Sequence, residues 1–383
     1  VPMITGIPPM YFHVILTDDC NLCCRYCRAK AFEDEEEPDT DVPVEIDENL
    51  STELSYDPEL LYRFIQKDPD PTITFYGGEP LMRRDLVEKM IREAPARRFM
   101  MQTNAILLDK LPPGIINRFA TILVSLDGRK ELTDGNRGDG VFEKVMGNVN
   151  RIRADGYCGE LIARMTVTER TDIFDAVRYL ADNPYHSFSS IHWQIDANFT
   201  GDFGHRTFGT WAESTYNPGI RALVAAWVDE MEQNGRVMRW YPFIDPMEDL
   251  LYGRESLLRC GAGHSNYTIM TDGHIAPCPI MIGMKQHYVG HIRDADPAHL
   301  PRIPVGGECE TCRIRTFCGG RCLYSAIVRP WNRAGRELVC GTVKNLHEAL
   351  NSELPRVQSL IQSGRISLAD FAHEKFNGCE IIP

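Results

Sequence analysis

Short apolar or β-branched runs alternate with amphipathic stretches over the first 236 residues. YFHVILT (11–17), TITFYGG (72–78), RRFMMQTN (97–104), TILVSLDG (121–128), ELIARMTVT (160–168) and SSIHWQIDANF (189–199) read as strands. Between them, DPELLYRFIQKD (57–68), RRDLVEKMIREA (83–94), VFEKVMGNVNRIRADG (141–156) and DIFDAVRYLADN (172–183) carry helical spacing. NPGIRALVAAWVDEMEQNG (217–235) follows the sixth strand with an apolar stripe and a glycine stop. Six strand–helix units in order predict an α/β fold on a parallel sheet, either doubly wound or curled into a partial barrel; periodicity does not choose. Residues 31–57 interrupt this order with an acidic excursion rich in Asp, Glu and Pro, read as a solvated loop or as a flap over the site. Beyond 236 the alternation stops, and Cys, Gly and Pro punctuate short segments to about 345. The expected division is 1–236, a small loop-rich domain at 237–345, and a helix (341–366) with a tail filling 346–383.

With 383 residues, 43% hydrophobic and 25% charged, the chain can bury a sizeable core. Its net charge of −13 gives no bulk attraction to nucleic acid or anionic membrane. No run approaches the ~20 apolar residues of a spanning helix, and the start lacks a secretory pattern. These features place the chain in the cytoplasm, where thiols stay reduced. Its thirteen cysteines are odd in number and clustered, so they are expected to carry metal or redox chemistry rather than disulfides.

Four of those cysteines fall in CNLCCRYC, directly after the first strand. Cys20, Cys24 and Cys27 can hold three corners of a [4Fe–4S] cube and leave one iron open; a zinc ion is the alternative, and Cys23 is the surplus thiol. Later strand ends add Gly77-Gly78-Glu79, Gln102-Thr103-Asn104, Ser125-Leu126-Asp127-Gly128 and Arg164-Met165-Thr166. An acid for an amine, hydroxyl and amide donors for a ribose, and a guanidinium for a carboxylate together suit an amino-acid nucleoside.

At this point residues 11–236 resemble the radical S-adenosylmethionine (SAM) enzymes, through CNLCCRYC, YGGEP, QTN, SLDG and RMTV in order. The resemblance implies a partial (β/α)6 TIM-type barrel with a [4Fe–4S] cluster on Cys20, Cys24 and Cys27. It implies SAM contacts from Gly77, Gly78 and Glu79 to the amino group, Tyr26 to the adenine, and Ser125 and Arg164 to ribose and carboxylate. Asn104 and Gln194 are looser assignments. SAM would be cleaved to a 5′-deoxyadenosyl radical that abstracts hydrogen.

Seven further cysteines come later in the chain: Cys260, Cys278, Cys309, Cys312, Cys318, Cys322 and Cys340. On spacing alone zinc and iron–sulfur are both open. The array resembles the SPASM domain, which implies two auxiliary [4Fe–4S] clusters, the outer on Cys309, Cys312, Cys318 and Cys340 and the inner on Cys260, Cys278 and Cys322. No cysteine lies between Cys158 and Cys260, so the inner cluster is expected to have an open iron or a fourth ligand such as Cys379 or His264. The resemblance extends to an archaeal-type group of peptide-modifying enzymes. It implies a peptide or protein substrate, possibly cysteine-containing, a ferredoxin or flavodoxin reductant, and a separate leader-binding protein, since only ten residues precede the first strand. Sulfatase-maturing relatives carry an aspartate base after the second inner cysteine; here Pro279 stands there. The expected reaction is oxidative crosslinking or dehydrogenation of a side chain. A small-molecule dehydrogenase, a sulfatase-maturase-like enzyme and a non-enzymatic iron–sulfur carrier are the alternatives.

Overall fold

Strand alternation sorts side chains to two faces, and the computed structural model shows what covers each. It describes residues 9–27, 44–182, 188–196, 203, 206–328, 331–378 and 382. Strands β1 (Tyr11–Ile15), β2 (Thr72–Tyr76), β3 (Arg98–Thr103), β4 (Phe119–Ser125), β5 (Glu160–Val167) and β6 (Ser190–Ile195) pair parallel, each with the next. This curled, helix-covered sheet is the partial barrel.

The outward set, with Phe12, Val14, Ile73, Phe75 and Ile122, is buried under helices Pro58–Ile65, Arg84–Glu93, Val141–Ala154 and Ile173–Asp182. The first of these shows the local logic. Asp57 caps it by accepting from Glu59 N at 3.1 Å, Pro58 fits the first turn, and Leu61, Phe64 and Ile65 face the sheet. The inward set is smaller and mixed. Tyr11, Met100, Leu123 and Ile162 form one apolar layer with Tyr241. Above that layer the inward positions turn polar, with His13, Tyr76, Gln102, Arg164 and Gln194.

The alternation does not stop at 236. A helix, Tyr241–Tyr252, runs beside β6, and β7 (Asn266–Ile269) joins the sheet parallel to β1. Strands β8 (His274–Ala276) and β9 (Gly290–His291) then extend the sheet antiparallel, giving the order β6-β5-β4-β3-β2-β1-β7-β8-β9. The cysteine-rich region is therefore continuous with the barrel sheet. It keeps a small core of its own around Leu258, Met270, Met281, Val305, Leu323 and Tyr324.

The C-terminal helix starts earlier than its apolar pattern suggests, spanning Arg333–Gln362 and packing on the Asn217–Asn234 helix. Asn332 caps it by accepting from Gly335 N at 2.8 Å. The tail closes the barrel's N-terminal end, where Glu374 accepts from Tyr11 OH at 2.9 Å and pairs with Arg98. Residues 31–43 of the acidic excursion lie outside the described residues. The rest of it is anchored: Thr17 donates to Glu53, and Tyr288 donates to Asp47 at 3.0 Å.

Candidate active site

The loop after β1 is shaped by close backbone contact. A Cβ on Gly77 would lie 2.4 Å from the Thr17 carbonyl oxygen, and one on Gly78 would lie 2.2 Å from that of Asp19. The two glycines thus let residues 17–19 lie against the end of β2, which delivers Cys20 to the carboxyl edge of the sheet. Glu79 is buried beneath this loop and accepts from Leu81 N (3.0 Å), Thr103 Oγ1 (2.7 Å) and Asn104 N (2.7 Å). Burial raises its carboxyl above the usual range, and those three donors oppose the shift. Asn104 turns to the loop as well, donating to Asn21 Oδ1 at 2.7 Å beside Cys20.

The far side of the loop is gripped by a buried ion pair. Tyr26 OH donates to Asp127 Oδ2 at 2.8 Å. Arg137 donates to both oxygens of Asp127, at 3.1 and 2.9 Å, and its guanidinium lies 5.3 Å from the centre of the Tyr26 ring. Arg25 N reaches Asn136 O at 2.9 Å. Asp127 lies within SLDG without standing out from it, and the apolar pattern gives no sign of the Lys130–Arg137 helix that brings Arg137.

Ten of the twelve described cysteines fall into three neighbourhoods. Burial pushes the Cys24 thiol up to about 11, with Arg137 opposing and Cys27 and Cys20 adding to the shift. Burial raises Cys278 well above a thiol's ordinary value, and Cys322 and Cys260 raise it further. Cys309 is raised by burial and by Cys312, Cys318 to about 11 by burial with Cys340 adding, and Cys340 by burial with Cys309 and Cys312 adding. The SPASM-type resemblance expects its ligand sets among these same thiols. Among the described residues no three His, Cys, Asp or Glu side chains are set as a single-ion site. Grouped thiols are the donors an iron–sulfur cube takes.

Between the first and second neighbourhoods lies a cavity of about 210 Å³. Tyr26, Arg164 and Gln194 line one part of it, Cys260, Cys278 and Cys322 another, and His13, Tyr76, Gln102, Asn266 and Arg321 complete much of the wall. Tyr76 spans the two: burial raises its hydroxyl, and both Cys278 and Cys27 add to that rise. Arg164 donates to Gln194 Oε1 at 2.9 Å, and Ser125 lies in register beside Arg164 at the end of β4. Gly77, Gly78, Glu79, Asn104 and Ser125 do not line the cavity itself.

His13 belongs to no motif, although it breaks the apolar run of YFHVILT on the inward face. Asn266 Nδ2 donates to Cys260 O at 3.2 Å, so its Oδ1 accepts from His13 Nδ1 at 2.7 Å. That leaves Nε2 as the acceptor nitrogen. Burial lowers the imidazole to about 4, so it is neutral at pH 7.

His264 places both ring nitrogens on protein partners, Ser265 Oγ and Leu258 O, each at 2.9 Å. Cys379 lies outside the described residues; its neighbour Gly378 lines the cavity. Cys158 is exposed before β5, at the end of the sheet opposite the cavity. Trp193 is core, packed edge-on against Phe243.

The model of the radical SAM superfamily matches residues 14–172. The chain is 31% identical over 343 residues to the AdoMet-dependent heme synthase of Oleidesulfovibrio alaskensis, covering 80% of each. It is 30% identical over 167 residues to the Fe-coproporphyrin III synthase of Methanosarcina barkeri, a match spanning 42% of this chain and 39% of that protein's length. In fold it is similar to anSMEcpe with bound AdoMet and the Cp18Cys peptide, with a TM-score of 0.68, 18% identity, and coverage of 92% of this chain and 100% of that one. Among the described residues no helix is long and apolar enough to cross a membrane.

Proposed function

The chain belongs to the radical SAM superfamily, and from that membership we propose that it oxidatively modifies a side chain of a peptide or protein substrate. In this reading Cys20, Cys24 and Cys27 hold a [4Fe–4S] cluster, with SAM beside it. Residues 237–345 form a SPASM-type domain, with the inner auxiliary cluster on Cys260, Cys278 and Cys322 and the outer on Cys309, Cys312, Cys318 and Cys340. Bound, these groups supply a 5′-deoxyadenosyl radical for hydrogen abstraction and a path for the electron released afterwards.

The protein's own side chains do the rest. Arg164, held by Gln194, faces the cavity with a guanidinium suited to the SAM carboxylate, and Tyr26, fixed by Asp127, offers an aromatic ring for the adenine. Pro279 stands where sulfatase-maturing relatives place an aspartate, and His13 Nε2 faces the cavity as a hydrogen-bond acceptor, neutral at pH 7 because burial lowers the imidazole to about 4. One observation carries the reading: a single cavity joins the radical-generating strand ends to the inner cysteines. With the groups bound, Tyr26, Arg164 and Gln194 would hold SAM, Cys260, Cys278 and Cys322 would hold the cluster, and a side chain seated between them would meet both the hydrogen-abstracting and the electron-accepting chemistry.

The peptide class draws support from the peptide-bound solved structure of similar fold. A second reading, a carboxylate-bearing small molecule, is favoured by the heme-synthase relative matched over 80% of both chains. Anaerobic co-expression with candidate peptides, followed by mass spectrometry, tests the choice. Loss of two hydrogens from a peptide is expected; turnover of a tetrapyrrole with every peptide unchanged would overturn it.

A further inference from the structure

Arg321 occupies a position that its backbone does not favour. Gly319, Gly320 and Arg321 have φ of +71°, +104° and +49° in succession. The glycines answer to crowding: a Cβ on Gly319 would lie 1.9 Å from the Leu257 carbonyl oxygen, and one on Gly320 would lie 2.8 Å from Val305. Arginine gains nothing from a left-handed backbone, which disfavours any residue with a Cβ. Its presence there points to what its side chain does.

That side chain is 8% exposed, and its guanidinium lies over Trp331, 5.4 Å from the ring centroid. Among the described residues it has no hydrogen-bond or ion-pair partner, and Nε is buried without one. Two other buried guanidiniums are matched: Arg137 faces Asp127, and Arg259 faces Asp245 and Asp249. Thiolates at Cys340 and its neighbours would supply part of the counter-charge of Arg321, but among the described residues its hydrogen-bond donors are matched by none, and a buried donor left unmatched is costly, which leaves them for a ligand in the cavity. Arg321 lines the same cavity as Cys260, Cys278 and Cys322.

We propose that Arg321 is a carboxylate clamp, binding an acid group of the substrate at the cysteine end of the cavity. With one face stacked on Trp331, the guanidinium presents its edge as a two-donor fork that matches a carboxylate. The inference rests on the peptide reading and narrows it, since the residue presented to the inner cysteines carries, or is followed by, a carboxylate. The source is an acidic side chain or the end of the peptide chain.

The test uses anaerobically reconstituted holoenzyme and three probes: N-acetylglutamate N-methylamide, its neutral glutamine counterpart, and N-acetylalanine for a terminal carboxylate. Affinities are read by saturation-transfer NMR for wild type, Arg321→Gln and Arg321→Lys, with iron content and melting curves establishing that each variant is folded. In wild type, an acid probe binds at least tenfold more tightly than the glutamine probe. The better acid probe identifies the source. Arg321→Gln erases the preference, and Arg321→Lys, which keeps charge but not the fork, retains part of it. Equal binding of acid and amide by wild type overturns the clamp. So does an Arg321→Gln variant whose auxiliary-cluster potential shifts while probe affinities stay unchanged, since the guanidinium would then serve the cluster. Wild type that cleaves SAM yet ignores both acids removes the clamp alone; wild type that cleaves no SAM removes the reading beneath it.

Discussion

The two cysteine regions are held in place by opposite means. The N-terminal loop has little apolar cover: Cys20 and Cys27 are exposed, and the loop is fastened by polar contacts through Asn104, Tyr26 and the Asp127–Arg137 pair. The C-terminal cysteines from Cys260 to Cys340 are all at least partly buried, and Cys260, Cys278, Cys309 and Cys322 pack on a small apolar core. In the proposed reading the uncovered loop leaves room for a ligand beside its cysteines, and the covered thiols serve the electron. Burial raises the Cys278 and Cys318 thiols above their ordinary range.

Asp127→Asn should have the largest effect. It leaves Arg137 buried without its counter-charge, a loss of about 4 kcal/mol for a broken buried pair. Equilibrium denaturation reads that loss, and iron analysis should show the deficit at the N-terminal loop with the C-terminal sites loaded. A stable variant with a full iron complement would mean the loop does not hang on Asp127. Leu323→Ala should cost about 3 kcal/mol as a core truncation. Hydrogen exchange should show the loosening confined to 258–328, with β2 to β5 protected as before; uniform loosening would make the two regions one cooperative unit.

The sequence made the six parallel strands legible, because strand burial is a local property. It hid what depends on distant partners. β7 reads as an isolated short run because its pairing partner, β1, lies some 250 residues earlier. The Lys130–Arg137 helix, KELTDGNR, carries Gly, Thr, Asp and Asn and has weak propensity of its own; Arg137 on Asp127 and Thr133 Oγ1 donating to Gly128 O hold it. Pro242 and Pro246 mask the Tyr241–Tyr252 helix, although the first sits in the tolerant first turn. Within the site, Tyr26, Arg164 and Gln194 line the cavity. His13 and Arg321 surfaced only once the cavity was visible, since a single His in a strand and an Arg beside a ligand cysteine carry no spacing signal.

Smaller effects sharpen the contrast further. His13 has its folded pKa depressed from 6.5 to about 4, so its contribution is intact above pH 6.5 and lost as pH falls through about 4. The unfolded chain takes up the proton first, which should remove about 2 kcal/mol by pH 5. A His13→Gln variant should lose that slope between pH 6.5 and 4, and an unchanged slope would assign it to other groups. Glu53→Gln, which weakens the half-exposed pair with Arg83 at the base of the acidic excursion, should shift stability by less than about 1 kcal/mol. A larger shift in the thermal midpoint would show that the excursion is part of the site's frame.

The division of labour between the two regions is tested most directly by measuring 5′-deoxyadenosine and modified product together in Cys24→Ala and Cys312→Ala. Cys24→Ala should form neither, and Cys312→Ala should release 5′-deoxyadenosine with little product. Equal loss of both from both variants would contradict the account.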